Sequence, residues 1–440
     1  MRFFGLFLPT GIGTIAMIGL WFIFFHRDRI LTIPIRQLFI VILAIGFMCR
    51  VVFSIVTPTF YAPDEQSHFK YVKYIAENGS FPVQTSRTDD PTNDWEYYQP
   101  PLYYLSAVPF YLLSQNLSSQ EAIAVRVIRF FSVLLWGITV LFTFKFIERM
   151  SADDYFIKLF VMCMVSLLPT YAFLSSTINN DNLLIVIGSI ILYLGVQQKP
   201  SLRNSIFTGL LLGLALLTKL TAVVYIAFMM IMWLIRLITK TCNWSAIHHF
   251  VLTMMLALII WTPWAWRNWS VYGSVTAEEI ANVVHYCESV FQAGWNVIYY
   301  VQRSFWAVSG IKNNVHFFYP IFGILIFCFA TIGWFYGLAT KKDKLTVFMG
   351  KNPYTLIVLA LTILVNLSLV FRFGMLYDQW QGRFLLPLLA PISLLLAIGL
   401  RVFPVFDLKS SRVHLVGFFV TYVVSFTFYS LAMFTLLTIP

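Results

Sequence analysis

The sequence predicts an all-α protein set in a lipid bilayer, a polytopic bundle of about twelve transmembrane helices. Two observations carry that prediction. Of 440 residues, 59% are hydrophobic and only 11% are charged, with a mean hydropathy of +0.78, which leaves too little polar surface to cover a soluble domain. The apolar residues also fall into runs near twenty residues long, the length a helix needs to cross the hydrocarbon core. No stretch reads as a separate soluble unit, so the expected organisation is a single integral membrane domain over 1–440.

Taken in order, the apolar runs lie at about 5–25, 37–57, 123–146, 155–176, 181–197, 204–218, 220–238, 248–266, 317–338, 353–373, 384–402 and 413–437. The run at 5–25 is too long for a signal-peptide core and no small-residue cleavage site follows it, so it reads as a retained span. The pair around Lys219 is short and predicts either two half-helices or one bent hairpin. Short basic loops at 26–36, 145–158, 199–203, 236–247, 340–351 and 401–412 alternate with loops that are acidic or long. The positive-inside rule places the basic set in the cytoplasm and both termini outside. The same rule accounts for the net charge of +11 without nucleic acid, for which no basic run is present. Five scattered cysteines form no CxxC pair and no disulfide framework.

Two outer loops are long, 58–122 and 267–316, and an active site, if present, faces that side. The first contains "TPTFYAPDEQSHFKYVKYIAENGSFPV". Pro63 suits the first position of a helix, Asp64 and Glu65 then sit in its first turn, where the macrodipole favours carboxylates, and Gly79 is a C-terminal stop. That reading gives a well-terminated helix over 63–78 and requires no chemistry. The helical angles add something to it. At about 100° per residue, Gln66, Lys70, Lys73 and Glu77 share a polar face, whereas Asp64, His68, Tyr71, Val72 and Ile75 gather on the opposite one, with Glu65 on its flank. An acid and an imidazole turned toward the protein suggest function. Further along, "DWEYYQPPLYYLSAVPFYLL" predicts a stiff Pro100-Pro101 turn and an interfacial helix over 101–114. Its Tyr97, Tyr98, Tyr103 and Tyr104 suit either sugar stacking or an aromatic belt.

At this point the chain resembles the GT-C superfamily of membrane glycosyltransferases. It is most similar to bacterial aminoarabinose transferases, protein O-mannosyltransferases and related bacterial membrane proteins. The residues that carry the resemblance are the "PDE…H" helix and "QPPLYY" of the first loop, "STINNDNL" (176–183), "GLLLGLALLTKLTAVVY" (209–225), "WAWRNWSVYG" (264–273) and "QGRFLLPLLAP" (381–391), in that order along most of the chain. It implies a helical fold with an outward cavity, in the plasma (inner) membrane of a bacterium with the active site on the periplasmic face. There a sugar passes from a polyprenyl-phosphate donor to a glycan, lipid or protein acceptor. It also implies that the acid of the first outer loop, Asp64 with Glu65 beside it, matters for catalysis. The sequence departs from many relatives in its extra N-terminal helix and in having no soluble C-terminal domain, which argues against an oligosaccharyltransferase role.

Transfer to a hydroxyl needs a base, and a carboxylate in hydrogen-bond reach can supply it. The catalytic candidates are Asp64, Glu65 and His68, the two acids being neighbours that can titrate as a pair. The donor phosphate calls for cations, and guanidinium groups grip it bidentately. The candidates are Lys219, Arg267, Arg383, Arg372 and Arg126, with Arg129 beside the last; some could instead snorkel at helix ends. Tyr98, Gln99, Tyr103, Asp181 and Gln381 are candidates for contact with sugar or acceptor, although Asp181 also suits a helix N-cap in "NNDN". His68, His285 and nearby acids could hold a divalent cation, but no ligand spacing specifies one, so no metal ligand is assigned.

Three other readings compete. A transporter or lipid flippase predicts internal repeats and polar residues at mid-membrane; no repeat is evident, and the polar residues concentrate on one side. A polysaccharide ligase or polymerase would use the same kind of carrier on another fold. A structural scaffold gives no reason for an inward-facing Asp64.

Overall fold

The computed structural model describes residues 33–85, 96–151, 153–196, 201–241, 247–277, 280, 287, 289–308, 318–340 and 353–438. Among them every regular element is helical. Eight helices are long and apolar enough to cross a membrane, and three shorter apolar helices accompany them; the chain is an integral membrane protein. Eleven of the twelve expected runs are thus helices, and the first, 5–25, lies outside the described residues.

The elements that position the site are α1 (Ile35–Val56), α2 (Glu65–Asn78), α3 (Leu102–Leu117), α4 (Glu121–Met150), α5 (Tyr155–Leu167), α6 (Pro169–Leu174), α7 (Asp181–Gly195), α8 (Leu202–Leu216), α9 (Val223–Ile238), α10 (Ile247–Tyr272), α11 (Val290–Asn296), α12 (Gln302–Trp306), α13 (Phe318–Thr340), α14 (Pro353–Tyr377), α15 (Leu389–Arg401) and α16 (Lys409–Thr438). The central core is built from α1, α5, α7, α15 and α16. A satellite core packs α2 and α3 onto α4, through Phe69, Tyr71, Val72, Tyr103, Tyr104 and Ile128. This satellite anchors the first long loop on the bundle.

Three boundaries differ from the expectation, each for a local reason. The run 155–176 is split after Leu167, because Pro169 has no N–H and cannot continue the α5 ladder. Carbonyls freed near the break are taken by Arg50, which lies wholly buried and donates to Ser166 O at 2.7 Å and Val165 O at 3.3 Å, and also to Gly46 O of its own helix at 2.9 Å. The pair at Lys219 resolves into the short α8 and, after a 3₁₀ turn at Leu220–Ala222, an element of span length from Leu220 to Ile238. Finally, α2 begins at Glu65, so Pro63 lies before the helix and not in its first turn. Its far end is as expected: Gly79 adopts φ +63°, a conformation a side chain would resist, and its N–H closes on Ile75 O.

The inter-helix loops gather at two ends. At one, Arg401 meets Asp154 at 2.7 Å and Lys158 approaches Glu148 at 3.7 Å. At the other, segments near residues 64, 96, 180, 219 and 383 converge on a cavity.

Candidate active site

Asp64 and Glu65 are adjacent in sequence and sit in opposite surroundings. Glu65, the first residue of α2, has no exposure and is closed on all sides. The Arg129 guanidinium on α4 grips it bidentately, Nε to Oε1 at 2.8 Å and Nη2 to Oε2 at 2.6 Å, and the Ile178 N–H adds a third bond at 3.1 Å. Arg129 also donates to the carbonyls of Thr57 at 2.6 Å and Pro58 at 2.9 Å. The pair therefore fastens the end of α1, the start of α2 and the 175–180 loop to one point. It does not reach the cavity.

Asp64 is the residue before the helix, in a left-handed conformation (φ 61°), and its side chain makes no capping bond. An aspartate tolerates this region better than most residues, at some strain. The consequence is directional. The carboxylate leaves the helix terminus, where the sequence placed it, and turns to the cavity wall, with 37% of its side chain exposed. There Arg383 Nη2 donates to Oδ2 at 2.6 Å. Burial alone would raise the Asp64 pKa, but the cations Arg383 and Lys219 outweigh it and hold the carboxyl below its usual range. At pH 7 Asp64 is ionised.

Arg383 belongs to the 3₁₀ segment Gly382–Leu388. Gly382 lets that segment press on the Phe305 backbone, where a Cβ would stand 2.1 Å from Phe305 N, and its N–H donates to Ser304 Oγ at 2.7 Å. The backbone beneath Arg383 is thereby fixed, while its Nε is buried without a hydrogen-bond partner among the described residues. Lys219, in the short α8–α9 connection, donates to Asp181 Oδ1 at 2.7 Å. Arg372, exposed on α14, makes no ion pair among the described residues.

These groups surround a cavity of about 400 Å³. Its polar wall carries Asp64, His68, Glu96, Lys219, Arg372 and Arg383, with Tyr98, Gln99, Gln379 and Gln381 around them. Its other wall is apolar, formed by Leu220 and Val223 on one side and Leu369, Phe373 and Leu376 of α14 on the other. His68 is buried and its Nδ1 shares a 2.9 Å hydrogen bond with Tyr104 OH. Burial, helped by Lys219 and Arg383, lowers its pKa to about 3 against the pull of Asp64 and Asp181. His68 is therefore a neutral imidazole at pH 7.

Several candidates from the sequence stand elsewhere. Arg126 is on the exposed face of α4; its neighbour one turn on, Arg129, is the one that points inward. Arg267 braces the first loop, donating to Pro82 O, Asn268 and Tyr272, and does not line the cavity. Tyr103 is fully buried, its hydroxyl accepting the Asn179 N–H at 3.1 Å. Asp181 lies behind Lys219 as the first residue of α7, and Asn179 Oδ1 takes its N–H. Among the described residues no group of three or more His, Cys, Asp or Glu side chains could hold a metal ion; His285 lies outside them.

The sequence reading passed over Glu96, which sits on the cavity wall with Oε2 buried, unpartnered and 4.0 Å from His68 Nδ1. Its only signal in the sequence is an acid within the aromatic stretch "DWEYYQPP".

No protein-family model matches the chain, and no curated protein matches it significantly. Solved structures do. ArnT from Cupriavidus metallidurans in the apo state superposes with a TM-score of 0.59 at 13% identity, covering 90% of this chain and 76% of ArnT. The chain has the fold of ArnT. A second ArnT structure, bound to undecaprenyl phosphate, matches with a TM-score of 0.55 at 13% identity, over 90% of this chain and 77% of that one.

Proposed function

We propose that the protein is a membrane glycosyltransferase. It moves a sugar from a polyprenyl-phosphate carrier to a hydroxyl or amine acceptor of the cell envelope (glycan, lipid or protein), at the outer face of a bacterial inner membrane. The observation that carries this reading is the Asp64–Arg383 pair at a cavity whose polar wall also offers Lys219 and Arg372. The likeness to ArnT, a protein with a structure bound to undecaprenyl phosphate, supports it.

In this reading the cations hold the lipid phosphate, and the apolar wall between α9 and α14 takes the first prenyl units. Phosphate competes with Asp64 for Arg383. As the guanidinium turns to the phosphate, Asp64 loses its strongest counter-ion and its proton affinity rises, which is what a base requires. The acceptor oxygen then attacks the anomeric carbon, the carbon–oxygen bond to phosphate breaks, and the acceptor proton passes to Asp64. A single displacement of this kind inverts the anomeric centre. Neutral His68 and the Glu65–Arg129 pair keep the first turn of α2 in place.

The test is release of polyprenyl phosphate from its glycosylated form, using protein in liposomes with a cell-envelope extract as source of donor and acceptor. Wild type should release it, and Asp64→Asn should do so at least about 100-fold more slowly, the lower bound for losing a general base. Equal release by the two would overturn the assignment of Asp64.

A further inference from the structure

Glu96 is the acid of the cavity wall that has no cation of its own. Asp64 is paired with Arg383 and Asp181 with Lys219, whereas Glu96 Oε2 is buried without a hydrogen-bond partner among the described residues. The Nδ1 of neutral His68 stands 4.0 Å from it. Ionisation would be costly at that oxygen, because no protein group among the described residues replaces the hydrogen bonds it gave up. A carboxylic acid that keeps its proton avoids that cost, and it presents an O–H where an ion would present only acceptors.

The groups around it point to what that O–H meets. Lys219 and Arg383 both act on the Glu96 charge, together with Asp64 and Asp181, and Tyr98, Tyr104 and His68 complete its surroundings. Those two cations are the ones that would hold a phosphate. We infer that Glu96 is a protonated carboxyl that donates a hydrogen bond to the phosphate of the lipid carrier, an inference that rests on the glycosyltransferase reading above. A donor of this kind strengthens its bond as the phosphate gains its second negative charge on release of the sugar.

The electrostatics agree with the geometry. Burial first, then the charges of Asp64 and Asp181, push the Glu96 pKa up to about 8, against the opposing pull of Lys219 and Arg383. The acid is therefore protonated at pH 7 and ionises as the medium becomes alkaline. A phosphate monoester has already lost its second proton near pH 6, so the ligand itself does not titrate in that window.

The experiment measures the binding of undecaprenyl phosphate to the full-length protein in detergent between pH 7 and pH 9. Wild-type affinity should fall about tenfold, because one unit above the Glu96 value only about a tenth of the protein remains competent. Glu96→Gln keeps a hydrogen-bond donor and cannot ionise, so it should bind at pH 7 within a few-fold of wild type and show no alkaline loss. Glu96→Asp, which keeps a titrating carboxyl, should keep the loss. An alkaline loss in Glu96→Gln as large as in wild type overturns the inference, and so does a wild-type affinity that is flat from pH 7 to pH 9. If wild type binds no undecaprenyl phosphate at any pH, the glycosyltransferase reading itself falls.

Discussion

Two ion pairs lie one residue apart at the start of α2, and they differ in how completely they are satisfied. In Glu65–Arg129 both carboxylate oxygens and the guanidinium are engaged, exposure is 0% and 1%, and three chain segments meet there. In Asp64–Arg383 one oxygen and one nitrogen are engaged, Asp64 is 37% exposed, and Arg383 Nε has no partner among the described residues. The first pair is saturated, and in the proposed function it holds structure. The second has unused hydrogen-bonding capacity and lines a cavity, and in the proposed function a ligand exchanges with it. In that reading, neighbouring acids of the same chemistry are thus divided between architecture and reaction by their surroundings.

The largest expected effect separates the two pairs outright. Asp64→Asn should lower transfer by about 10²–10⁴-fold and cost far less thermal stability in detergent than loss of Glu65, because the Asp64–Arg383 pair is partly exposed. Glu65→Ala should do the reverse: an uncompensated buried Arg129 costs about 3–5 kcal/mol, read as a lower yield and melting temperature, with residual activity proportional to folded protein. Replacing both partners, Glu65→Met with Arg129→Leu, should recover much of that stability. A double variant as unstable as Glu65→Ala would contradict the structural role given to the pair.

Next in size is the effect of Arg383 on both ligand and base. Arg383→Gln should weaken undecaprenyl phosphate binding by about ten-fold or more, the loss of a charge-assisted contact. It should also move the acid limb of activity. Because the folded pKa of Asp64 lies below the ordinary value near 4, the Asp64–Arg383 pair is intact above about pH 4. Its contribution is lost as pH falls through the depressed value. Without Arg383, burial is less opposed, and the acid limb should rise toward neutral pH. An unmoved limb would mean that Arg383 does not control the charge of Asp64.

The smallest effect belongs to the far end of α2. Gly79→Ala places a side chain at φ +63° with open space around it, so only backbone strain of about 1–2 kcal/mol is expected, with undecaprenyl phosphate affinity unaltered. A change in affinity would show that the C-terminal stop of α2, too, is tied to the cavity.

Much of this was legible in the sequence because length and periodicity are direct consequences of the bilayer. The spans at 37–57 and 353–373 appear as Ile35–Val56 and Pro353–Tyr377. The inward face of α2 with His68, Tyr71, Val72 and Ile75 is buried as the helical angles require. What escaped the sequence depends on long-range pairing. Nothing local tells Arg126 from Arg129, three residues apart, until Glu65 is brought beside α4. Asp64 and Glu65 both read as first-turn acids because the left-handed turn at Asp64 has no glycine to announce it. Glu96 was hidden by its tyrosine neighbours. Its lack of a counter-ion becomes apparent only when the charges of four separate segments are seen together.

The central claim is that a polyprenyl-phosphate sugar binds beside Asp64 and is consumed there. It is tested most directly by mass spectrometry of the lipid that co-purifies with wild type and with Asp64→Asn. The account predicts spent polyprenyl phosphate on wild type and the sugar-loaded carrier on the variant, which binds its donor and cannot turn it over. The absence of any polyprenyl-phosphate species from both proteins, or the same spent lipid on both, would contradict it.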